Sequence, residues 1–247
     1  MKIDAENIKP YDNGAAKTGQ VEEMFDSIAH SYDTMNRLMT LGIDRSWRRK
    51  AVRLTAAVNP AKILDVATGT GDFAIQLARS IPGAHITGID LSAGMMDVGR
   101  QKIEKAGLSE RIDLRQGDCL ALPWADGTFD AVTVAFGVRN FERLERGYAE
   151  MARVLRPGGL LCVVELAVPT KRWVRPFYRF YTKGIIPLVG RLISSDSSAY
   201  TYLPTSIAAM PGPQSMLGLL TGAGLVDARL LPLTFGVCAI YTARKPG

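Results

Sequence analysis

The sequence predicts an α/β fold: a mostly parallel, seven-stranded sheet with helices on both faces. Three observations carry that prediction. Short apolar runs alternate with stretches of helical periodicity from residue 62 onward, the pattern of repeated strand–helix–strand units. Glycines or aspartates follow each of the first three runs, where the chain must turn. The final two runs are joined by too few residues for a crossover, so they pair antiparallel.

In chain order, residues 1–20 are polar, and Asn13-Gly14 and Lys17-Thr18-Gly19 predict a flexible, poorly anchored arm. Residues 21–57 predict N-terminal helices. Val21, Met24, Phe25, Ile28 and Ala29 fall at helical spacing in one segment, and Trp47, Val52 and Leu54 in a second. Pro60 closes that region. The core, residues 58–169, opens with a strand at 62–66, a glycine-rich turn and a helix at 73–79. A second strand, 85–89, runs into Asp90, and a helix over 92–106 follows with Ser92 as its N-cap. Further strands are predicted at 112–116, 129–135 and 160–168. Between the last two, a helix over 144–155 stops at Pro157-Gly158-Gly159. A helical insertion occupies 170–210. Residues 211–247 close the fold with a helix at 214–222 and strands at 225–231 and 237–243. The whole chain reads as a single domain.

With 47% apolar and 22% charged residues, the composition belongs to an ordinary globular chain and excludes a disordered one. Met1-Lys2-Ile3-Asp4 leads into polar sequence, so no secretory signal is expected. The longest apolar run, 160–168, is interrupted by Glu165 and falls short of the roughly 18 residues that a membrane span needs. A cytoplasmic location is expected. Cys119, Cys162 and Cys238 are odd in number, far apart and set among apolar neighbours, which predicts three buried thiols rather than a disulfide. His30 and His85 form no ligand cluster with them, so no metal is expected. The net charge of +6 predicts attraction to anionic surfaces, nucleic acid and acidic lipid alike.

The informative segment is Leu64-Asp65-Val66-Ala67-Thr68-Gly69-Thr70-Gly71-Asp72. It lies where the first strand turns into the first core helix, the place where open α/β sheets bind ligands. Glycine at 69 and 71 lets a ligand approach the backbone closely. Asp90 ends the second strand, where a carboxylate accepts hydrogen bonds from ribose hydroxyls. Gly69-Thr70-Gly71 with Ala74 also satisfies the loose dinucleotide fingerprint, so a nicotinamide cofactor competes. Against it, Asp72 puts negative charge where a pyrophosphate would settle on a helix N-terminus. A sulfonium-bearing amino acid tolerates that acidity, and Asp65 suits its cationic parts.

Longer segments narrow the reading. They are Tyr32-Asp33-Thr34-Met35-Asn36 with Gly42-Ile43-Asp44-Arg45-Ser46-Trp47-Arg48, and Phe136-Gly137-Val138-Arg139-Asn140-Phe141. A third is Arg153-Val154-Leu155-Arg156-Pro157-Gly158-Gly159 through Glu165 and Pro169, and a fourth is Tyr200-Thr201-Tyr202-Leu203-Pro204 with Ser206-Ile207 and Gly236. Together they resemble the menaquinone and ubiquinone C-methyltransferase family over about residues 21 to 245. The Tyr-Asp-x-Met-Asn and Phe-Gly-x-Arg-Asn pieces are the specific ones, whereas Pro-Gly-Gly is widespread among methyltransferases. The chain departs from the pattern at three places. Asp44 stands where many members carry histidine, Thr40 replaces a frequent serine, and Glu165-Leu166-Ala167 replaces Glu-Phe-Ser.

The resemblance implies a Rossmann-like class I methyltransferase fold with an antiparallel C-terminal strand. It implies S-adenosyl-L-methionine as cofactor and a polyprenylated quinol as substrate, with C-methylation of demethylmenaquinol as the first reading. A benzoquinol of the ubiquinone pathway, or another small molecule or RNA, stays open. Asp65, Gly69, Thr70, Gly71 and Asp90 are expected around the cofactor. Asp118 is expected to accept from the adenine amino group, and the backbone of Cys119 to pair with the ring edge. Arg139 and Asn140, just past the fourth strand, are the expected catalytic residues: Arg139 to stabilise a developing phenolate and Asn140 to orient it. Tyr32 and Asp33 would close over the cofactor.

Residues 171–183 interleave Arg172, Arg175 and Arg179 with Trp173, Phe177, Tyr178, Phe180 and Tyr181. That pattern predicts peripheral contact with anionic lipid on the inner face of the membrane. The same composition stacks RNA bases. However, the motif after the fourth strand is not the Asn/Asp-Pro-Pro-aromatic type that resembles base N-methylation sites, so no nucleic acid is expected. A homo-oligomer stays open.

Overall fold

A computed structural model describes residues 3–11, 13–185 and 198–247. Seven strands form one sheet in the order β3-β2-β1-β4-β5-β7-β6. They are β1 (Lys62–Val66), β2 (His85–Asp90), β3 (Ile112–Gln116), β4 (Phe129–Ala135), β5 (Leu155–Leu166), β6 (Val226–Leu233) and β7 (Cys238–Arg244). The pairs among β1 to β5 are parallel, and β7 runs antiparallel to both β5 and β6. This is the predicted Rossmann-like architecture. The central strands are apolar on both faces because helices cover both, as parallel sheets require.

The helices are α1 (Asp4–Asn7), α2 (Lys17–Thr40), α3 (Asp44–Ala56), α4 (Asp72–Ser80), α5 (Ala93–Lys105), α6 (Leu144–Val154) and α7 (Arg175–Phe180). Two more follow the insertion: α8 (Ser198–Ala209) and α9 (Pro213–Gly222). One core layer packs α6 and α9 on the sheet through Leu144, Tyr148, Met151 and Leu220. The opposite layer packs α3 and α4 through Trp47, Ala51, Phe73 and Leu77. A third cluster joins Met24, Ile28 and Met35 of α2 to Ala199 and Tyr202 of α8. Ser92 caps α5 as its side chain accepts from the Met95 amide at 3.0 Å. All three cysteines are free and buried, as the apolar neighbourhoods predicted.

Two expectations need correction. The described part of residues 1–20 is docked rather than loosely anchored. Ile3 and Ala5 are buried, and α2 already begins at Lys17. The Lys17 ammonium is only 1% exposed and donates to the carbonyls of Ala5 (2.7 Å), Arg139 (3.1 Å) and Phe141 (3.2 Å). Carbonyl oxygens solvate a buried charge in place of water, so a segment that reads as polar becomes a clamp. The second correction concerns Pro157-Gly158-Gly159. It ends α6 as predicted, but the strand starts at Leu155 rather than 160. Proline forces its predecessor into extended geometry, and the neighbouring glycines trade backbone hydrogen bonds with Lys245. The predicted insertion at 170–210 is helical where described, and its residues 186–197 lie outside the described part.

Candidate functional site

At the C-terminal ends of β1, β2 and β4 the backbone leaves a cleft. Gly69 and Gly71 have φ of +55° and +73°, a region in which only glycine is unstrained. A side chain on Gly99 of α5 would stand 3.2 Å from the Thr70 carbonyl carbon, so α5 lies directly against the loop. The Gly69 amide donates to Asp90 Oδ2 at 2.8 Å, and the Ser92 amide donates to its Oδ1 at 3.0 Å. Asp90 thereby ties the loop to the end of β2 while still lining the cleft. Burial pushes its pKa up against these bonds.

Asp65 lies beneath the glycine loop, lining a small adjoining pocket with Thr70 and Asp72. It is buried and accepts from the hydroxyls of Thr68 and Thr133, each at 2.7 Å. Both partners are neutral, so burial dominates and its carboxyl is pushed up to about 6. Asp118 accepts from the Leu120 amide at 2.8 Å and, with Cys119, lines the far end of the cleft. Helix α2 roofs the cleft with Thr18, Val21, Phe25 and Tyr32. Asp26 pins the roof in place by accepting from Ser92 Oγ (2.6 Å) and the Gly94 amide (2.9 Å).

The charge of Asp72 is not left free beside the loop as the sequence predicted. Lys102 forms an ion pair with Asp72, and Arg48 stands 3.7 Å from its other oxygen. Although burial opposes it, these cations hold the Asp72 carboxyl below its usual range. Thr70 is drawn into the same network, donating to Asp33 Oδ1 at 2.6 Å. Acidity beside the second glycine is therefore compensated. Asp65 under the loop and Asp90 along the cleft have no cation bonded to them among the described residues. The cationic amino-acid end and the nucleoside of S-adenosyl-L-methionine are groups that such a set of carboxylates fits.

A second cavity of about 450 Å³ opens beside the cleft, between α2, α3, α7 and α8. Its wall is mostly apolar, including Met39, Trp47, Val174, Phe177 and Ile207. The two spaces meet at Tyr32 and Phe136, which line both. Residues Arg139 and Asn140 are brought to this meeting point by a single turn of helix, but they face different spaces. Arg139 lines the apolar cavity and Asn140 the cleft. Asn140 Oδ1 accepts from the Tyr202 hydroxyl at 3.1 Å. Arg139 is 6% exposed; its Nη1 donates to Phe136 O and, at 2.9 Å, to Glu165 Oε1. Its Nε is buried with no hydrogen-bond partner. A buried orphan donor is costly unless a ligand completes it.

Residues 13–245 match the ubiE/COQ5 methyltransferase family. The chain belongs to that family. It is 48% identical to the demethylmenaquinone methyltransferase of Bacteroides fragilis over 245 residues, 99% of this chain and 100% of the relative. The Geobacter sulfurreducens protein named ubiquinone/menaquinone biosynthesis C-methyltransferase UbiE is 40% identical, over 93% of this chain and 90% of its own. Among solved structures, the [4+2]-cyclase SpnF superposes with a TM-score of 0.65 at 21% identity, covering 93% of this chain and 96% of that one. A putative methyltransferase of Bacillus halodurans gives 0.59 at 20%, covering 81% and 99%. At such identities these structures share the fold. Within the ubiE/COQ5 frame, sequence reasoning had passed over Asp44, Arg48, Glu165 and Lys17. Asp44 and Arg48 lay inside a recognised motif, so the motif was the signal available for them.

Proposed function

We propose that the protein transfers a methyl group from S-adenosyl-L-methionine to a ring carbon of a reduced polyprenylated quinone, demethylmenaquinol in the first instance. The observation that carries this reading is an apolar cavity, lined by the buried Arg139, that meets the cofactor cleft at Tyr32 and Phe136. A quinol ring with an isoprenoid tail needs an apolar container with very few polar anchors, and the cavity has that character. The names of the relatives point the same way. Several at 43–48% identity are called demethylmenaquinone methyltransferase.

The bound cofactor supplies a methyl group on positively charged sulfur, electrophilic without further activation. The protein's task is to hold the ring in line and manage charge on its oxygens. Arg139 lines the cavity, where its guanidinium stabilises negative charge developing on a ring oxygen. Glu165 fixes the guanidinium and keeps it charged. Asn140, held by Tyr202, positions the turn beside the cofactor. Tyr32 and Phe136 gate the passage between the two spaces.

The cavity mouth bears on where the substrate comes from. No helix among the described residues is long and apolar enough to cross a membrane. Phe177 and Phe180 line the cavity and are 73% and 71% exposed, and Trp173 and Phe235 are each 60% exposed. Trp173 stacks edge-on to Phe235 at 5.3 Å, with Lys171, Arg172 and Arg175 around them. Such a rim suits the headgroup layer of an anionic bilayer, with the protein on its cytoplasmic face. The side chain of Arg179 lies outside the described residues. The test of the whole reading is product mass after incubation with the cofactor and each reduced quinol. One added methyl on the naphthoquinol is expected. Product from the benzoquinol alone would move the assignment to the ubiquinone pathway, which the name of the UbiE relatives pairs with the menaquinone one.

A further inference from the structure

The apolar cavity has a single carboxylate among its described lining residues, Asp44. It stands in the first turn of α3 and is 3% exposed. Its Oδ1 accepts from Thr40 Oγ1 at 2.8 Å, and its Oδ2 from Arg48 Nη1 at 2.6 Å. Thr40 and Asp44 are two of the three places where the sequence departs from the family pattern, and they are hydrogen-bonded to each other. An ionised carboxylate offers about four acceptor positions, so these two bonds leave it with capacity to spare.

The other ionisable groups facing the cavity cannot take up a proton near neutral pH. Arg48, on the same helix, and Arg139, after β4, stay protonated. Tyr32 on α2 and Tyr181 beyond α7 are pushed above their ordinary values by burial, and Tyr178 is pushed up to about 12. Behind the wall, Asp72 is paired with Lys102 and faces Arg48 at 3.7 Å. Glu165 is taken by Arg139 and by the amides of Arg139 and Leu166.

We infer that Asp44 is a catalytic residue that accepts the proton of the quinol's ring hydroxyl during methyl transfer. The inference rests on the quinol reading above. As the ring carbon forms its bond to the methyl group, the sulfur–methyl bond breaks and its electron pair remains on sulfur. The ring supplies the electrons, so its hydroxyl becomes the O–H of a protonated ketone, far more acidic than a carboxylic acid. Transfer of that proton to the Asp44 carboxylate therefore runs downhill in the transition state. The hydrogen on the newly methylated carbon then leaves to water, and the ring oxygen regains a proton. One proton is released per methyl transferred.

The test uses Asp44→Asn and Asp44→His in the full chain. Asparagine keeps the size and one acceptor oxygen, which Thr40 or Arg48 can use, but has no basicity. It is expected to lower kcat about 100-fold or more while KM for the quinol changes by no more than about threefold. Stabilisation by S-adenosylhomocysteine in thermal unfolding is expected to match wild type, showing an intact fold and cleft. Histidine restores a base at the same position. It is expected to recover at least about a tenth of the rate and to lose it below about pH 6.5, where imidazole protonates. Near-wild-type kcat in Asp44→Asn overturns the inference, as does equal loss in both variants when both bind S-adenosylhomocysteine normally. Wild-type protein that binds the cofactor but methylates no quinol would instead refute the substrate reading, and the role of Asp44 would fall with it.

Discussion

Arg139 donates to Glu165 across 2.9 Å, and both side chains are almost wholly withdrawn from solvent. The pair joins the turn after β4 to the end of β5. Burial alone works against the charge on Arg139, yet the Glu165 carboxylate beside it keeps the guanidinium pKa above its ordinary value. Removing one member leaves an uncompensated buried charge. Glu165→Ala is therefore expected to destabilise the fold by about 3–5 kcal/mol, measured by denaturant unfolding. A loss below about 1 kcal/mol, the level of a surface pair, would show that the charge finds water.

Arg139→Lys keeps a positive charge, but a point ammonium does not reproduce the planar guanidinium fork. The expected outcome is a fall in kcat of about 100- to 1000-fold with affinity for S-adenosylhomocysteine intact, read by steady-state kinetics and isothermal titration. Equal loss of cofactor affinity would relocate Arg139 to the cleft.

Asp65 gives a pH signature. Its carboxyl is raised in the fold from 3.8 to about 6. A raised acid favours the folded state while protonated, so its contribution is full below 3.8 and is lost as pH rises through about 6. Ligand-free protein is expected to lose stability over that window. A bound ammonium beside Asp65 favours the carboxylate, so the thermal shift given by S-adenosylhomocysteine grows over the same window. Asp65→Asn is expected to flatten both profiles. Identical pH profiles for wild type and variant would remove Asp65 from the cofactor site.

At the cavity mouth, Arg172→Glu with Arg175→Glu reverses two charges beside exposed Trp173 and Phe177. Each basic residue near an anionic surface contributes about 1 kcal/mol, so co-sedimentation with phosphatidylglycerol vesicles is expected to fall more than about tenfold. Turnover of a short-chain quinol in detergent is expected to persist. Unchanged vesicle binding would separate the mouth from the membrane.

The sheet was legible because its strands are short apolar runs and its cofactor loop is contiguous: Asp65, Gly69, Gly71 and Asp90 fall within two strand–turn units. What escaped is what depends on partners distant in sequence. Lys17 reads as a solvated charge, but its partners are backbone carbonyls at residues 5, 139 and 141, which leave no mark in a sequence. Glu165 reads as an interruption of an apolar run until Arg139 is set beside it. Asp44 and Arg48 are recognisable as an i,i+4 pair. That they wall a cavity becomes visible only once α7 and α8 are folded over α3. Asn140 and Arg139, adjacent in sequence, were expected to share a task, and the single helical turn that carries them sends them to different spaces.

Methyl transfer itself tests the central claim most directly. Isotope-labelled S-adenosyl-L-methionine would be offered with demethylmenaquinone in its reduced and its oxidised form, and the label followed by mass. A nucleophilic ring carbon needs the electron release of a hydroxyl, so label is expected in the reduced quinol and absent from the oxidised quinone. Label in neither, with the cofactor shown to bind, would contradict the account.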